Sequence, residues 1–147
     1  MRLLSIILLL SAVTGYAKID SLVYIKSENS LKVYSGKKLI KDFYAVHGSM
    51  GRKKYEGDGK TPEGAYWLSG RNYGSIAYRS IRISYPSAGD KKAGRTGSDI
   101  MVHGNYNHFG DEFPKNNWTL GCIATPNKNM DWLFKYLPKK VRIYIRP

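Results

Sequence analysis

The chain has 147 residues, of which 42% are hydrophobic and 13% are aromatic. A chain of this length buries one sizeable core, which excludes an arrangement of two large domains. The net charge of +13 favours anionic partners, but the sequence has no RNA-binding signature and no basic helix, so we expect no nucleic-acid partner. The single cysteine, Cys122, excludes an intrachain disulfide.

The N-terminal segment has the pattern of a secretory signal peptide. Arg2 precedes an apolar run at residues 3–10, and residues 15–17 form a small-x-small cleavage site. The apolar run is much shorter than the roughly 20 residues that a membrane-spanning helix needs. We therefore predict a signal peptide at residues 1–17, a periplasmic or otherwise extracytoplasmic domain at residues 18–147, and no membrane span after cleavage. The alternative is an uncleaved anchor.

Alternating and β-branched residues predict that most of the mature chain is β-structure. Seven segments have this pattern: residues 22–26, 31–34, 39–46, 65–68, 79–85, 99–102 and 141–145. In the fifth segment, Ile81 and Ile83 are expected to face the core and Arg82 the solvent. Residues 48–64 and 89–97 are rich in glycine and charge, so we predict loops there, the first of them functional.

One short helix is predicted after Cys122. Thr125 is a candidate cap and Pro126 suits the first helical position. Apolar residues then recur at helical spacing and are assigned to the core: Met130, Leu133, Phe134 and Leu137. Pro138 ends the pattern.

Cys122 and His103 are the candidate catalytic pair. A thiolate can attack a carbonyl while an imidazole transfers the proton, so a lone thiol near a histidine suits nucleophilic acyl transfer. We expect a neighbouring imidazolium to lower the pKa of the thiol. Gly121 lets the backbone approach a bound carbonyl closely. The competing interpretation is a buried, inert cysteine.

Three segments carry a family resemblance: residues 57–64 (GDGKTPEG), 100–104 (IMVHG) and 119–124 (TLGCIA). In this order, and with this interval between histidine and cysteine, they resemble the catalytic domain of the L,D-transpeptidase (YkuD-type) family. The resemblance covers nearly the whole mature chain. It implies a mainly β, β-sandwich-like domain with one short helix after the catalytic cysteine.

The resemblance also implies an activity and a set of roles. The Cys122 thiolate would attack a peptidoglycan stem peptide at the carbonyl of its diamino-acid residue, forming a thioester. His103 corresponds to the motif histidine, and the backbone carbonyl of Gly104 would orient its imidazole. Backbone N–H groups around Gly121 and Cys122 would stabilise the oxyanion. No cofactor or metal is implied.

The nucleophile motif departs from the commonest family pattern, Ser-His-Gly-Cys-Ile-Arg. Leu120 replaces the histidine and Ala124 replaces the arginine. Arg79, Arg82 or Arg95 could replace that arginine, and we name Arg82 and Arg95 as candidate substrate-binding residues. This form of the motif is more similar to the YafK-type branch of the family, which includes an amidase that detaches lipoprotein from peptidoglycan.

Trp118 and Thr119 are two further candidate substrate-binding residues beside the nucleophile. The expected partners are peptidoglycan stem peptides and wall-linked lipoprotein, and we expect a monomer. The thioester could be hydrolysed (amidase or L,D-carboxypeptidase) or transferred to an amine (L,D-transpeptidase). A domain of about 130 mature residues without an appended wall-binding module favours hydrolysis.

Two other functions stay open. One is a metal-dependent hydrolase in which His103, His108 and Cys122 bind the metal. The other is a non-catalytic, basic wall-binding module. We otherwise interpret His47 and His108 as solvated loop histidines, and a lysine cluster as a solvated loop face: Lys53, Lys54 and Lys60.

Overall fold

The computed structural model describes residues 17–110 and 112–147. The predicted signal peptide, apart from Ala17, lies outside the described residues. Within the described part of the chain there are eight strands: β1 (Ser21–Ile25), β2 (Ser30–Ser35), β3 (Lys38–Tyr44), β4 (Gly64–Ser75), β5 (Tyr78–Ile83), β6 (Met101–His103), β7 (Ile123–Ala124) and β8 (Val141–Arg146). The helices are α1 (Ala88–Lys92), α2 (Asn127–Tyr136) and two short 3-10 turns, Lys26–Glu28 and Asn107–Phe109. The expected mainly β fold with few helices is confirmed.

All eight strands belong to one sheet, in the order β3-β2-β1-β8-β4-β5-β6-β7. The sheet is mostly antiparallel, but β1 pairs with β8 and β6 pairs with β7 in parallel. Val46, just after β3, exchanges hydrogen bonds of 2.8 and 2.9 Å with Ala124 in β7. The two ends of the sheet therefore meet, and the sheet folds around its own core.

Alternation along the strands determines which side chains enter that core. In β8, Val141, Ile143 and Ile145 are buried while Tyr144 is exposed. In β5, Ile81 and Ile83 are buried and Arg82 is exposed, as predicted. Burial of each large apolar side chain contributes about 1.5–3 kcal/mol, so these inward faces hold the sheet closed.

Helix α2 covers the core with the four apolar residues assigned to it, but its start differs from the prediction. Pro126 occupies the N-cap position, one residue earlier than expected, and no side chain caps the helix. The Thr125 hydroxyl instead donates to the Tyr44 carbonyl at 2.7 Å and accepts from Asn129 at 2.8 Å. Thr125 therefore connects the helix to β3 rather than capping it.

The secondary structure differs from the prediction at β7, which was not predicted, and at two further elements. Strand β4 extends seven residues beyond the predicted segment 65–68, because it passes through Gly70 with irregularities in its pairing to β5. Helix α1 lies partly in the segment predicted as a loop, where Ser87 and Asp90 form a reciprocal capping box. No helix of residues 17–110 and 112–147 is long and apolar enough to cross a membrane.

Candidate active site

The parallel pairing of β6 with β7 brings His103 and Cys122 together. Val102 pairs with Ile123, so Cys122, one residue before Ile123, lies opposite Met101. Met101 and His103 are two residues apart on a strand and share one face of the sheet. His103 and Cys122 consequently line the same cavity of about 80 Å³, together with Ser80, Met101, Tyr106 and residues 75–77.

His103 is buried and held in one orientation. Its Nδ1 lies 2.7 Å from the carbonyl oxygen of Gly104, while its Nε2 is buried without a hydrogen-bond partner among the described residues. A proton on Nδ1 can donate to that carbonyl, which leaves Nε2 as a free base. Burial lowers the pKa of His103, although the Gly104 carbonyl acts in the opposite direction. The net shift of the pKa favours the neutral imidazole.

The Cys122 thiol has a pKa that is shifted in the direction opposite to our expectation. Burial raises the pKa of Cys122, and so does the negative charge of Asp99, whereas the Met101 backbone and Lys53 act to lower it. The thiol lies 3.5 Å from the carbonyl oxygen of Asp99. Both shifts favour the neutral thiol and the neutral imidazole over a thiolate–imidazolium pair.

Glycine is the only residue type that fits position 121, in the loop that carries Cys122 (residues 119–122, called the nucleophile loop below). Its φ of +133° is rarely adopted by residues with a side chain, and an added Cβ would lie 2.9 Å from the Lys60 carbonyl oxygen and 3.0 Å from Ile100. The predicted loop 48–64 therefore packs directly against the nucleophile loop. The Gly121 N–H donates to the Thr119 hydroxyl at 3.3 Å, whereas the Cys122 N–H makes no hydrogen bond to any described residue.

Trp118 belongs to an aromatic cluster beside His103. Its ring centroid lies 5.9 Å from that of His103 and 5.3 Å from that of Tyr106, and Phe109 and Phe113 extend the cluster. Tyr106 also lines the cavity that contains His103 and Cys122. Sequence reasoning missed Tyr106, although its position three residues after His103 was a usable signal.

The two candidate arginines lie in different environments. Arg82 is exposed and pairs with the Asp99 carboxylate at 3.0 Å, and the backbone carbonyl of Asp99 accepts from the thiol. Arg95 is partly buried against Asp90 at 3.0 Å, just after α1. Neither arginine lines the cavity that contains Cys122. Arg82 is connected to Cys122 through Asp99, whereas Arg95 completes an ion pair with Asp90.

The two departures from the common motif have different surroundings. Leu120 is 87% exposed, so its side chain extends into solvent beside the nucleophile. Ala124 is fully buried in β7, where its backbone pairs with Val46. A longer side chain at Ala124 would have to displace core residues.

Among the described residues, the remaining histidines do not form a metal site with His103 and Cys122. His108 is exposed and stacks on Tyr106, with ring centroids 5.4 Å apart. Among the residues that the structure describes, no group of three His, Cys, Asp or Glu side chains could hold a metal ion. The ligand set of the metal-dependent alternative, His103 with His108 and Cys122, is therefore not assembled.

Two residues predicted to be solvated are buried. His47 is fully buried, and neither ring nitrogen has a hydrogen-bond partner among the described residues. Its burial, together with the charge of Lys26, lowers its pKa. Lys53 is buried against Asp58 at 2.9 Å, while Lys54 is exposed and Lys60 is partly exposed. The lysine cluster is thus split between the interior and the surface.

Comparison with known proteins relates this site to a family. Residues 18–145 match the YkuD family, the L,D-transpeptidase catalytic domain. YafK of Escherichia coli (strain K12) is 29% identical over 118 residues, which cover 78% of this chain and 42% of YafK. The crystal structure of the helical cell shape determining protein Pgp2 from Campylobacter jejuni is 31% identical, with a TM-score of 0.75 over 89% of this chain and 49% of Pgp2.

Bd1075 of Bdellovibrio bacteriovorus is 25% identical, with a TM-score of 0.68, and the match covers 88% of this chain and 48% of Bd1075. The chain spans less than half the length of these three relatives. The family match, by contrast, extends over nearly all of the described residues. The chain belongs to the L,D-transpeptidase (YkuD) catalytic-domain family.

Proposed function

We propose that this domain is a cysteine enzyme that acts on peptidoglycan stem peptides, at the carbonyl of the diamino-acid residue, through a thioester acyl-enzyme. The observation that carries the proposal is that Cys122 and His103 line one cavity, where His103 keeps an unpartnered Nε2. Family membership supports the substrate class. The pairing of a thiol with a free base supports acyl transfer.

The neutral state of both groups defines the order of proton movements. As Sγ attacks the substrate carbonyl, the thiol proton passes to Nε2 of His103, and the resulting imidazolium is stabilised by its Nδ1–H bond to Gly104. The Cys122 N–H is free to donate to the oxyanion, and one such donor contributes on the order of 100-fold or more in rate. The imidazolium then protonates the departing amine. The acyl group remains bound to Cys122 as a thioester.

Resolution of the thioester needs a second nucleophile, and we propose that this is mainly water. His103, neutral again, removes a proton from the incoming water or amine, and the thiol is regenerated. The exposed Leu120 and buried Ala124 give the loop the YafK-type form, whose family branch includes a lipoprotein-releasing amidase. Hydrolysis would trim stem peptides or release wall-linked lipoprotein, whereas an amine acceptor would give cross-links.

Arg82 is our candidate for recognising the carboxylates of the stem peptide. Its guanidinium is exposed, and its partner Asp99 contacts the thiol through its backbone carbonyl. An arginine in this position can pair with a substrate carboxylate in a bidentate manner. Trp118 and Tyr106 would form an apolar wall beside the imidazole.

Mass spectrometry of defined substrates tests the proposal. The protein is incubated with tetrapeptide muropeptides and, separately, with sacculi that carry covalently attached lipoprotein. Shortened stems or released lipoprotein support hydrolysis, whereas dimers linked between two diamino-acid residues as the main product contradict it. The Cys122→Ala variant serves as the control, and product formation by this variant would overturn the thioester mechanism.

The two other functions give different results in the same assay. A metal-dependent hydrolase would lose activity on chelation, with stoichiometric zinc in the purified protein. A non-catalytic wall-binding module would bind sacculi equally well with or without Cys122 and would form no product. We also propose that residues 1–17 are removed on export and that the mature protein is a monomer, which intact-mass analysis of the periplasmic fraction and light scattering test.

A further inference from the structure

One peptide group connects His103 to the start of helix α2. The carbonyl of Gly104 lies 2.7 Å from Nδ1 of His103, and the N–H of Asn105 donates to Oδ1 of Asn127 at 2.8 Å. This C=O and this N–H belong to the same peptide unit, which is planar and trans, so they point in opposite directions. A hydrogen bond at one end of the unit therefore fixes the direction of the other end.

The surroundings of Gly104 make this contact tight. The Gly104 N–H donates to the carbonyls of Ala77 and Arg79, both at 3.1 Å, which holds the preceding peptide unit in place. A Cβ on Gly104 would lie only 2.5 Å from Oδ1 of Asn127. Asn127 and the backbone of Gly104 are thus in close contact, and only a glycine allows the carboxamide to approach so closely.

The side chain of Asn127 has no visible role in starting the helix. The N-cap of α2 is Pro126, and no side chain makes a capping hydrogen bond there. The Asn127 carboxamide oxygen accepts instead from the Asn105 N–H, which lies outside the helix. Its contact is with the peptide unit that faces the catalytic histidine.

We propose that Asn127 is a positioning residue for His103. By accepting from the Asn105 N–H, Asn127 keeps the Gly104 carbonyl directed at Nδ1, and this carbonyl holds the proton on Nδ1. Nε2 then remains the unprotonated nitrogen that receives the thiol proton. Polarisation of the peptide unit by the carboxamide also makes the Gly104 carbonyl a better acceptor. The catalytic part of this inference rests on the proposed function.

Two substitutions separate this role from a general loss of stability. Asn127→Leu preserves approximate size but removes the acceptor, and Asn127→Asp retains an acceptor. Asn129→Leu is the matched control, because Asn129 is a buried asparagine in the same helical turn. Its amide donates to the Thr125 hydroxyl and makes no hydrogen bond to the peptide unit between Gly104 and Asn105. Each variant is tested for unfolding, for kcat and KM on the muropeptide substrate, and for the ¹⁵N chemical shifts of the His103 ring.

With Asn127→Leu we expect kcat to fall on the order of 10- to 100-fold with KM nearly unchanged, since a small misplacement of a catalytic group has effects of this size. The His103 ring signals should change from one defined tautomer to a mixture. Asn127→Asp should restore most of the kcat and raise the pKa of His103, because a negative charge nearby favours the imidazolium. Asn129→Leu should leave the tautomer signals unchanged.

An Asn127→Leu protein that is folded, with wild-type ring signals, would overturn the proposal. An equal fall in kcat in Asn127→Leu and in Asn129→Leu would also overturn the proposal. If Asn127→Leu fails to fold, the pKa of His103 in Asn127→Asp becomes the deciding measurement. A His103 pKa equal to that of the wild type would contradict the contact between Asn127 and the Asn105 N–H. The NMR measurements do not depend on turnover, so failure of the proposed function is distinguishable from failure of this inference.

Discussion

The Thr119 hydroxyl donates to the backbone carbonyl of Cys122 at 2.6 Å. The same oxygen accepts from the Gly121 N–H at 3.3 Å, so a single side chain connects both ends of the tight turn that presents the nucleophile. Thr119 was predicted to bind substrate. Its side chain is instead buried, and its hydroxyl makes both of these hydrogen bonds within the nucleophile loop. The Thr119 N–H donates to the carbonyl of His47.

The Thr119→Val variant removes both hydroxyl contacts while keeping the side-chain shape. We expect a loss of about 1–2 kcal/mol in the free energy of unfolding, since the Cys122 carbonyl loses its donor. kcat should fall on the order of 10-fold, because the turn no longer holds Sγ and the Cys122 N–H in place. Urea unfolding and steady-state kinetics measure the two effects. Thr119→Ser retains the hydroxyl and is the control, and equal loss in both variants would contradict this role.

The Gly121→Ala variant tests the contact between the nucleophile loop and loop 48–64. The methyl group would meet the Lys60 carbonyl and Ile100, in a backbone conformation that already disfavours a side chain. We expect destabilisation of about 1–3 kcal/mol from backbone strain plus the cost of the clash, measured by thermal or urea unfolding. Gly94→Ala is the control, because Gly94 has a φ of +71° but nothing within 4 Å of an added Cβ. If both variants lose the same free energy of unfolding, the contact between Gly121 and loop 48–64 contributes nothing to stability.

Most strands, and the placement of His103 with Cys122 in one cavity, could be predicted because their signals are local. Alternation in residues 141–145 is visible within one segment and was confirmed in β8. The extension of β4 through Gly70 could not be predicted in this way, because glycine interrupts the strand pattern and the pairing with β5 overrides it. Helix α1 is too short for periodicity to indicate it.

Burial of polar groups was the other feature that the sequence did not reveal. A run of lysines has the same pattern whether it is solvated or not, and only the folded loop places Lys53 against Asp58. The pKa of Cys122 depends likewise on its burial in the cavity between neighbouring strands, which residue types alone do not specify. The Asn127 contact joins segments 22 residues apart, with no repeating pattern to indicate it.

The Arg82→Gln variant tests recognition of a substrate carboxylate. If Arg82 binds the stem peptide before and during the reaction, KM should rise on the order of 10-fold with little change in kcat, since uniform binding is lost. Steady-state kinetics on the tetrapeptide muropeptide give both constants. Arg95→Gln is the matched control, because Arg95 pairs with Asp90 away from the cavity, and its KM should stay at the wild-type value. A change in KM for Arg95→Gln alone would reverse the assignment.

Alkylation of Cys122 by iodoacetamide should be slower in the folded protein than in the denatured chain at pH 7–8. The reason is that burial raises the thiol pKa, so less thiolate is present at a given pH. The rate should keep rising with pH beyond the midpoint measured in urea. A rate plateau that begins below that midpoint would show instead that an imidazolium stabilises the thiolate.

The last prediction concerns the buried pair of Lys53 and Asp58 in loop 48–64, which share a contact of 2.9 Å and have side chains only 4% and 3% exposed. Burial acts to raise the pKa of Asp58, but hydrogen bonds from the Lys54 N–H, the Lys53 ammonium and other backbone N–H groups outweigh it and hold the pKa well below its ordinary value. A depressed carboxyl pKa contributes stability that is present above the pKa of the unfolded chain, about 3.9, and is lost as the pH falls below it.

The Asp58→Asn variant should therefore be destabilised by about 3–5 kcal/mol at pH 7, because Lys53 is left as a buried charge without its carboxylate. As the pH falls from 5 toward 2, the free energy of unfolding of the wild type should approach that of the variant, which lacks the titrating group. Urea unfolding at a series of pH values measures both. Lys54→Met removes an exposed neighbouring charge and should have little effect. A constant difference between wild type and Asp58→Asn across this range would mean that the Asp58 carboxylate does not stabilise the loop.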